Sequence, residues 1–344
     1  MRPAGSKLST TMALRPATLD SDRVDTAFIP AKRPCGDLLA GETADRDLVS
    51  RRASLGRRIT GFFLLTKPRI VELLLITTLP TMLVAKGGVP SLALVAATLG
   101  GGALAAGGAN ALNMVVDRDI DAIMKRTRKR PLVTGAVSVG EAVAFAIALE
   151  VAAFVELWQT VNLLSAVLAV SATLFYVCVY TIWLKRTSTQ NIVIGGAAGA
   201  VPVLVGWTAV TGHLALAPLV LFSIIFLWTP PHFWALAVKY ADDYRAAEVP
   251  MMPAVRSLAS TARQILVYTA ALWATSLLFF WVGHMGLTYL VSAAVLGAVF
   301  MGFATALLRD PAPRVAMRMF HYSIAYLTLL FITMGADVII THGL

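Results

Sequence analysis

Charge is what this sequence has least of. Only 14% of its 344 residues are Asp, Glu, Lys or Arg, against roughly 25% in soluble globular domains. Cysteine is almost absent: Cys35 and Cys178 have no partner spacing, which excludes a disulfide framework and a cysteine-built metal site. Five histidines are too few to make a histidine-built redox or di-iron centre the first expectation. The apolar segments do not alternate in strands of about ten residues, which argues against a membrane barrel.

Apolar residues take the place of charge, at 58% of the chain. They gather in nine runs, near 70–85, 92–112, 136–157, 161–183, 192–211, 214–236, 265–283, 287–308 and 318–336. Each approaches or exceeds the roughly 20 residues that a helix needs to cross the hydrocarbon core. The first run is short, and Pro230-Pro231 is expected to kink the sixth just before His232. The expectation is an all-α polytopic membrane protein with nine transmembrane helices.

The net charge of +10 resembles a nucleic-acid signal until its placement is examined. With a cytoplasmic N-terminus and alternating spans, 28 of the 29 Lys and Arg fall on inside segments, and only Lys86 does not. That is a positive-inside pattern. It points to a lipid bilayer as partner, excludes nucleic acid, and puts the C-terminus outside if nine spans hold. Residues 1–57 mix both charges with Pro, Gly, Ser and Thr and show no period, so they read as a disordered basic arm before a membrane domain over 58–344. Arg57-Arg58 imitates a twin-arginine export signal, but Lys67, Pro68 and Arg69 interrupt the apolar stretch behind it.

The stretch NMVVDRDIDAIMKRTRKRPL, 113–132, packs three aspartates and six basic residues between two apolar runs. On a helix, Asn113, Asp117 and Asp121 fall at i, i+4 and i+8 and share one face, while Asp119 points nearly opposite. Stacked acids near lipid repel each other and are costly to bury. A hard divalent cation such as Mg²⁺ removes that cost, takes oxygen ligands, and is commonly completed by substrate phosphate oxygens. The cluster Lys125, Arg126, Arg128, Lys129 and Arg130 follows at once and suits a phosphate group.

A second boundary, WTPPHFWALAVKYADDYRAAEVPMMP, lies at the inner end of the sixth span. Helical phase, extended through the segment, puts His232, Lys239 and Asp243 on one stripe, with Asp242 to one side. Two acidic clusters on one side of the membrane suit metal ions bridged by a diphosphate better than two solvated loops. Lys67 and Arg69 open the first span, and Lys185 and Arg186 stand between the fourth and fifth, near Thr189 and Asn191. Glycine and alanine runs such as LGGGALAAGGAN and IGGAAGAVP permit close helix approach or leave room for a large planar ligand. Glu150 lies deep within the third run with no evident role.

These residues carry a resemblance. Asn113-x3-Asp117-x3-Asp121, continuing into Lys125-Arg126-Thr127 and Arg130-Pro131-Leu132, resembles the first signature of the intramembrane aromatic prenyltransferases. LTKPRI (65–70), NMVVDRDIDAIMKRT (113–127), YTIWLKRTSTQNIVIGGAAGAVPVLVGW (180–207), PPHFWALAVKYADDYRAAEVPMMP (230–253) and FHYSIAYLTLLF (320–331) together resemble that family's haem-prenylating branch, the protohaem IX farnesyltransferases or haem O synthases. The resemblance covers about 60–338. It implies nine transmembrane helices around a central cavity that opens sideways into lipid. It implies Mg²⁺ held with farnesyl diphosphate by Asn113, Asp117 and Asp121, and by Asp243 from the other half. Lys67, Arg69, Lys125, Arg126, Arg130 and Lys185 become diphosphate contacts, and Lys239 and Asp242 further substrate contacts. The family often has a second aspartate four residues after the one matching Asp243. Here that position is Ala247, and Asp242 adjoins the match instead.

The implied reaction joins farnesyl to the 2-vinyl group of haem b, with water added, in the cell membrane. His232 and His321 would meet the haem iron or its propionates, and the product would pass to a downstream haem-modifying or oxidase-assembly protein. The rival readings are a prenyltransferase for a quinone precursor or chlorophyllide, and a secondary transporter of an anionic lipid. The carrier would show saturable flux without product.

Overall fold

In a computed structural model that describes residues 55–342, every regular element among the described residues is a helix. The expected arm therefore lies almost wholly outside the described residues; its last three, 55–57, already belong to a helix. That helix, α1 (Leu55–Leu65), is amphipathic. Arg58 pairs with Glu141, Leu65 is buried, and Phe62 meets Phe145 with ring centroids 5.1 Å apart.

The chain then runs through α2 (Pro68–Lys86), α3 (Leu92–Val116), the short α4 (Arg118–Ile123), α5 (Val139–Thr160) and α6 (Leu163–Leu174). A π-helical segment, Phe175–Leu184, continues α6 into one more turn, α7 (Lys185–Thr187). There follow α8 (Asn191–Thr211), α9 (Leu216–Lys239), two short helices α10 (Ala241–Ala246) and α11 (Met252–Val255), then α12 (Leu258–Val282), α13 (Leu287–Arg309) and α14 (Pro313–His342). Side-chain caps set several starts. Ser91, Asn162 and Ser257 each accept from a backbone N–H of the first turn, and Ser138 with Glu141 forms a reciprocal capping box on α5.

Among the described residues, seven of the long helices are long and apolar enough to cross a membrane: α3, α6 with its π continuation, α8, α9, α12, α13 and α14. The expected nine is not reached on that measure. The first turns of α2 carry Arg69 and Glu72, and α5 carries Glu141, Glu150 and Glu156. Both nevertheless pack within the bundle, α2 against α8 and α14, α5 against α3. The outer surface exposes large apolar side chains such as Leu92, Val267, Trp281 and Leu287. That exposure suits lipid rather than water.

Contacts divide the bundle into α3, α5 and α6 on one side and α9, α12, α13 and α14 on the other, with α2 and α8 touching both sets. Small residues permit this closeness. A Cβ on Gly195 of α8 would lie 2.2 Å from the Tyr180 ring, so only glycine seats that tyrosine. Pro230 and Pro231 do not end α9, which continues through both to Lys239. A buried acid outside the charged end, Asp337 of α14, accepts from the backbone N–H of Gly286 at 2.6 Å and of Tyr289 at 3.1 Å. It thereby caps the first turn of α13 from another helix.

Candidate active site

The charged stretch opens where α3 ends. Asp117 terminates α3, yet Asp117 N–H donates to the Asn113 carbonyl at 2.9 Å and Asp121 N–H to the Asp117 carbonyl at 2.8 Å. The i, i+4 hydrogen-bond period therefore survives the junction with α4, and the three side chains stay in one row. All three are buried, at 3%, 1% and 2% relative exposure. Asp119 faces away, largely exposed, in a two-bonded pair with Arg186 that holds its carboxyl down to about 2.

Each member of the row meets its own cation, and each cation comes from a different segment. Lys67 Nζ donates to Asn113 Oδ1 at 2.6 Å. Lys185 Nζ pairs with Asp117 Oδ2, and Arg130 Nη1 with Asp121 Oδ2 at 2.6 Å. Asn113 Nδ2 donates to Asp117 Oδ2 at 2.8 Å and to Thr181 Oγ1 at 3.0 Å. Asp117 Oδ1 is buried without a hydrogen-bond partner. Three basic side chains thus face two carboxylates and one amide, with Oδ1 of the Asp117 carboxylate left over.

Local structure aims these groups. Lys67 adopts the left-handed region (φ 50°, ψ 63°) directly before Pro68, the first residue of α2. A non-glycine residue there stores about 1–3 kcal/mol of strain. The turn is held by Asn110 Nδ2, which donates to the Thr66 carbonyl at 3.1 Å. Burial first, and then the Arg130 guanidinium, push the Lys67 ammonium down to about 7, with Asp117 opposing. The π-helical segment presents Thr181 and Lys185 to the acids and stacks Tyr176 on Tyr180, 5.3 Å between centroids.

Next to this row lies an apolar cavity of about 160 Å³ between α2, α3, α6 and α8. Asn110 and Tyr176 line the end near the acids, and Ala106, Gly102 and Thr98 continue along α3 one turn at a time. The arrangement joins a charged, buried end to a slot lined by small apolar side chains.

The second cluster is built differently from the expectation. The helical stripe through His232, Lys239 and Asp243 does not persist, because α9 ends at Lys239 and Tyr240 (φ −108°, ψ 20°) breaks the phase before α10. Lys239 is exposed and lies over the Tyr240 ring at 5.6 Å, a ring that Arg126 also approaches at 5.6 Å. Through this contact of Arg126 with Tyr240 the 118–131 segment reaches across to the α9–α10 corner. Asp242 is exposed and pairs with Arg245. Asp243 is partly buried. Among the described residues no three His, Cys, Asp or Glu side chains come together as a metal cluster, so Asp243 does not join Asp117 and Asp121 in one.

Of the other expected contacts, Arg69 and Lys125 are exposed. His321 is exposed against Phe320, whereas His232 is partly buried and bonded to Ser323. Sequence reasoning passed over Thr181, Asn110 and Ser323. Thr181 was within reach, since it stands four residues before Lys185 on the same helical face.

A family profile matches residues 74–330, that of the UbiA prenyltransferase family. The chain belongs to the UbiA prenyltransferase family. A protein of Clavibacter michiganensis subsp. michiganensis (strain NCPPB 382) named "Protoheme IX farnesyltransferase" is 50% identical over 287 residues, 82% of this chain and 94% of that one. Among solved structures, a digeranylgeranylglyceryl phosphate synthase superposes with TM-score 0.69 at 17% identity, over 82% of this chain and 99% of that chain. A UbiA homologue from Archaeoglobus fulgidus, bound to DMAPP and Mg²⁺, superposes with TM-score 0.57 at 16% identity, over 80% of this chain and 99% of that chain. At such identities the structures establish the shared UbiA fold: an all-helical bundle of a multi-pass membrane prenyltransferase.

Proposed function

We propose that this chain transfers the farnesyl group of farnesyl diphosphate to a vinyl group of protohaem IX, with addition of water, giving haem O and diphosphate in a Mg²⁺-dependent reaction. The observation that carries the diphosphate chemistry is the buried row Asn113, Asp117 and Asp121, each matched by its own cation, beside an apolar slot. The acceptor assignment is supported by half-identical relatives named for farnesylating protohaem.

The residues present fit a hard divalent cation as a part-site. Asp117 Oδ1 is buried, the other donors are carboxylate or amide oxygens, and among the described residues Oδ1 has no partner and no third carboxylate completes the set. Diphosphate oxygens would fill the remaining positions. Asn113, Asp117 and Asp121 would hold the ion, with Asp243 serving from the α9–α10 corner through the same diphosphate. When bound, Mg²⁺ supplies stabilisation of the negative charge on the departing group.

Lys185 and Arg130 then turn from their carboxylates to diphosphate oxygens, joined by Lys67, with Arg126, Lys125 and Arg69 on the outer side. The C1–O bond breaks with both electrons leaving on diphosphate, and these cations are already in place to receive that charge. The vinyl π electrons form the new bond to C1. The neighbouring carbon becomes cationic, takes oxygen from water, and that water releases a proton. The apolar lining of the slot keeps other water from the allylic cation. Lys239 and Asp242 are the outermost substrate contacts, and His232 and His321 the side chains for haem.

The charge distribution orients the protein in the cell membrane with its N-terminus and acid-bearing loops cytoplasmic and its C-terminus outside. A haem-modifying or oxidase-assembly protein receives the product. Membership of a prenyltransferase family sets the carrier reading aside. A quinone precursor or chlorophyllide as acceptor is the remaining alternative, because one fold serves several acceptors. The test is purified protein with Mg²⁺, farnesyl diphosphate and haem b, read by mass spectrometry. Haem gaining farnesyl plus water, lost with EDTA or Asp117→Asn, is expected. Unmodified haem, with a quinone precursor prenylated under the same conditions, would overturn the acceptor.

A further inference from the structure

One histidine is held from two helices. His232 of α9 stacks on Trp228 (centroids 4.1 Å apart, 17° between planes) and lies against Phe320 of α14 at 4.8 Å. Its Nδ1 is 2.7 Å from Ser323 Oγ, and Trp228 Nε1 donates to the Ser323 carbonyl at 2.8 Å. Ser323 itself is fully buried.

Proton counting assigns the direction of the 2.7 Å contact. A serine hydroxyl has one proton. Ser323 Oγ stands 2.6 Å from the Phe320 carbonyl, which can only accept, so the hydroxyl proton is committed there. The proton between Ser323 and His232 must come from the ring, and Nδ1–H donates to Ser323 Oγ. Clamped between aromatic rings with no ion pair among the described residues, the imidazole is neutral. A neutral ring carries one N–H, which leaves Nε2 as a lone pair. Nε2 is not among the sealed polar atoms that lack a partner.

We propose that Ser323 is a positioning residue that holds His232 as its Nδ1–H tautomer, so that the Nε2 lone pair is presented as an axial ligand to the iron of the haem acceptor. This rests on haem being the acceptor. Histidines that bind metals characteristically donate their other ring N–H to an oxygen, which fixes tautomer and orientation and raises ligand basicity. A proton-accepting role fits less well, because it would create a cation between two aromatic rings with no carboxylate paired to it. Ligation needs no net charge on the ring. His213, His284 and His321 are exposed; His213 also has its Nδ1 3.0 Å from an oxygen, the Thr211 carbonyl, but no aromatic ring is stacked on it among the described residues.

The test uses the full chain in nanodiscs with ferrous haem b and no farnesyl diphosphate, read by resonance Raman spectroscopy. An iron–histidine stretching band is expected, lost in His232→Ala. It should move to lower frequency in Ser323→Ala, and by less in Ser323→Cys, which keeps the shape but is a weaker acceptor. The Cys variant also serves if the alanine protein does not fold. An unchanged band in both serine variants overturns the positioning role. A band that survives His232→Ala, or no band in native protein that still farnesylates haem, overturns the ligation. Haem left unmodified while another acceptor is prenylated overturns the proposed function itself.

Discussion

Lys185 and Asp117 stand 68 residues apart in the chain and meet as a buried ion pair. The pair joins the end of the π-helical segment to the end of α3, and among the described residues Asp117 has no other cation bonded to it. Removing one partner of such a pair leaves an uncompensated buried charge. Lys185→Met should therefore cost about 3 kcal/mol of stability and lower kcat/KM by about 100-fold. Adding Asp117→Asn should restore the unfolding temperature in detergent but not turnover. Native turnover in Lys185→Met would remove the pair from the mechanism.

The two arginines that pair with acids of the 113–132 stretch should behave differently. Arg130→Gln strips Asp121, which is buried, and should lower farnesyl diphosphate turnover by at least tenfold, on the scale of about 1.4 kcal/mol or more. Arg186→Gln strips only exposed Asp119 and should change stability by about 1 kcal/mol or less. The Asp119 carboxyl, held near 2 by Arg186, contributes its stabilisation above the ordinary carboxylate range. That contribution is lost only as pH falls through about 2. Unfolding midpoints of native and Arg186→Gln protein should thus run parallel between neutral and mildly acidic pH; divergence there would contradict the assignment.

Gly102 lines the slot on α3, and a Cβ built there meets nothing within 4 Å. It lies about 16 Å along the helix from Asn113, from a rise of 1.5 Å per residue. Gly102→Leu should obstruct the far end of a farnesyl chain while sparing a shorter one. Competition assays should show kcat/KM for farnesyl diphosphate falling by about tenfold or more relative to geranyl diphosphate, as expected for lost fit in an apolar pocket. Equal losses for both would place the chain elsewhere.

Asp337 should matter for folding and not for chemistry. Its carboxylate accepts from Gly286 and Tyr289 at the start of α13. Asp337→Ala leaves those N–H groups without a partner and should cost about 1–3 kcal/mol, with Asp337→Asn costing less. The folded fraction should keep its kcat/KM. A selective loss of turnover at unchanged unfolding temperature would point to a role beyond capping.

The legible part of the site was the part written within one helix. Asn113, Asp117 and Asp121 could be aligned from their numbers because backbone hydrogen bonds repeat every four residues through Asp117. The same inference failed for His232, Lys239 and Asp243. A single residue outside helical geometry, Tyr240, is enough to cancel phase. The span count was blurred for a related reason: hydropathy measures lipid affinity, whereas α2 and α5 pack in the bundle while carrying polar residues.

By itself the sequence determined an all-helical membrane chain, its charge asymmetry, and a row of three oxygen-bearing side chains, because those depend on composition and on a period local to the helix. Only the tertiary structure decided that Lys67, Lys185 and Arg130 each face one member of that row. It alone put Ser323 beside His232 and Asp337 beneath α13. Apart from Arg130 and Asp121, nine residues apart, these contacts join residues 46 to 91 positions apart. No local period encodes which helices pack together, so the choice rests on the fit of small and large side chains across the bundle.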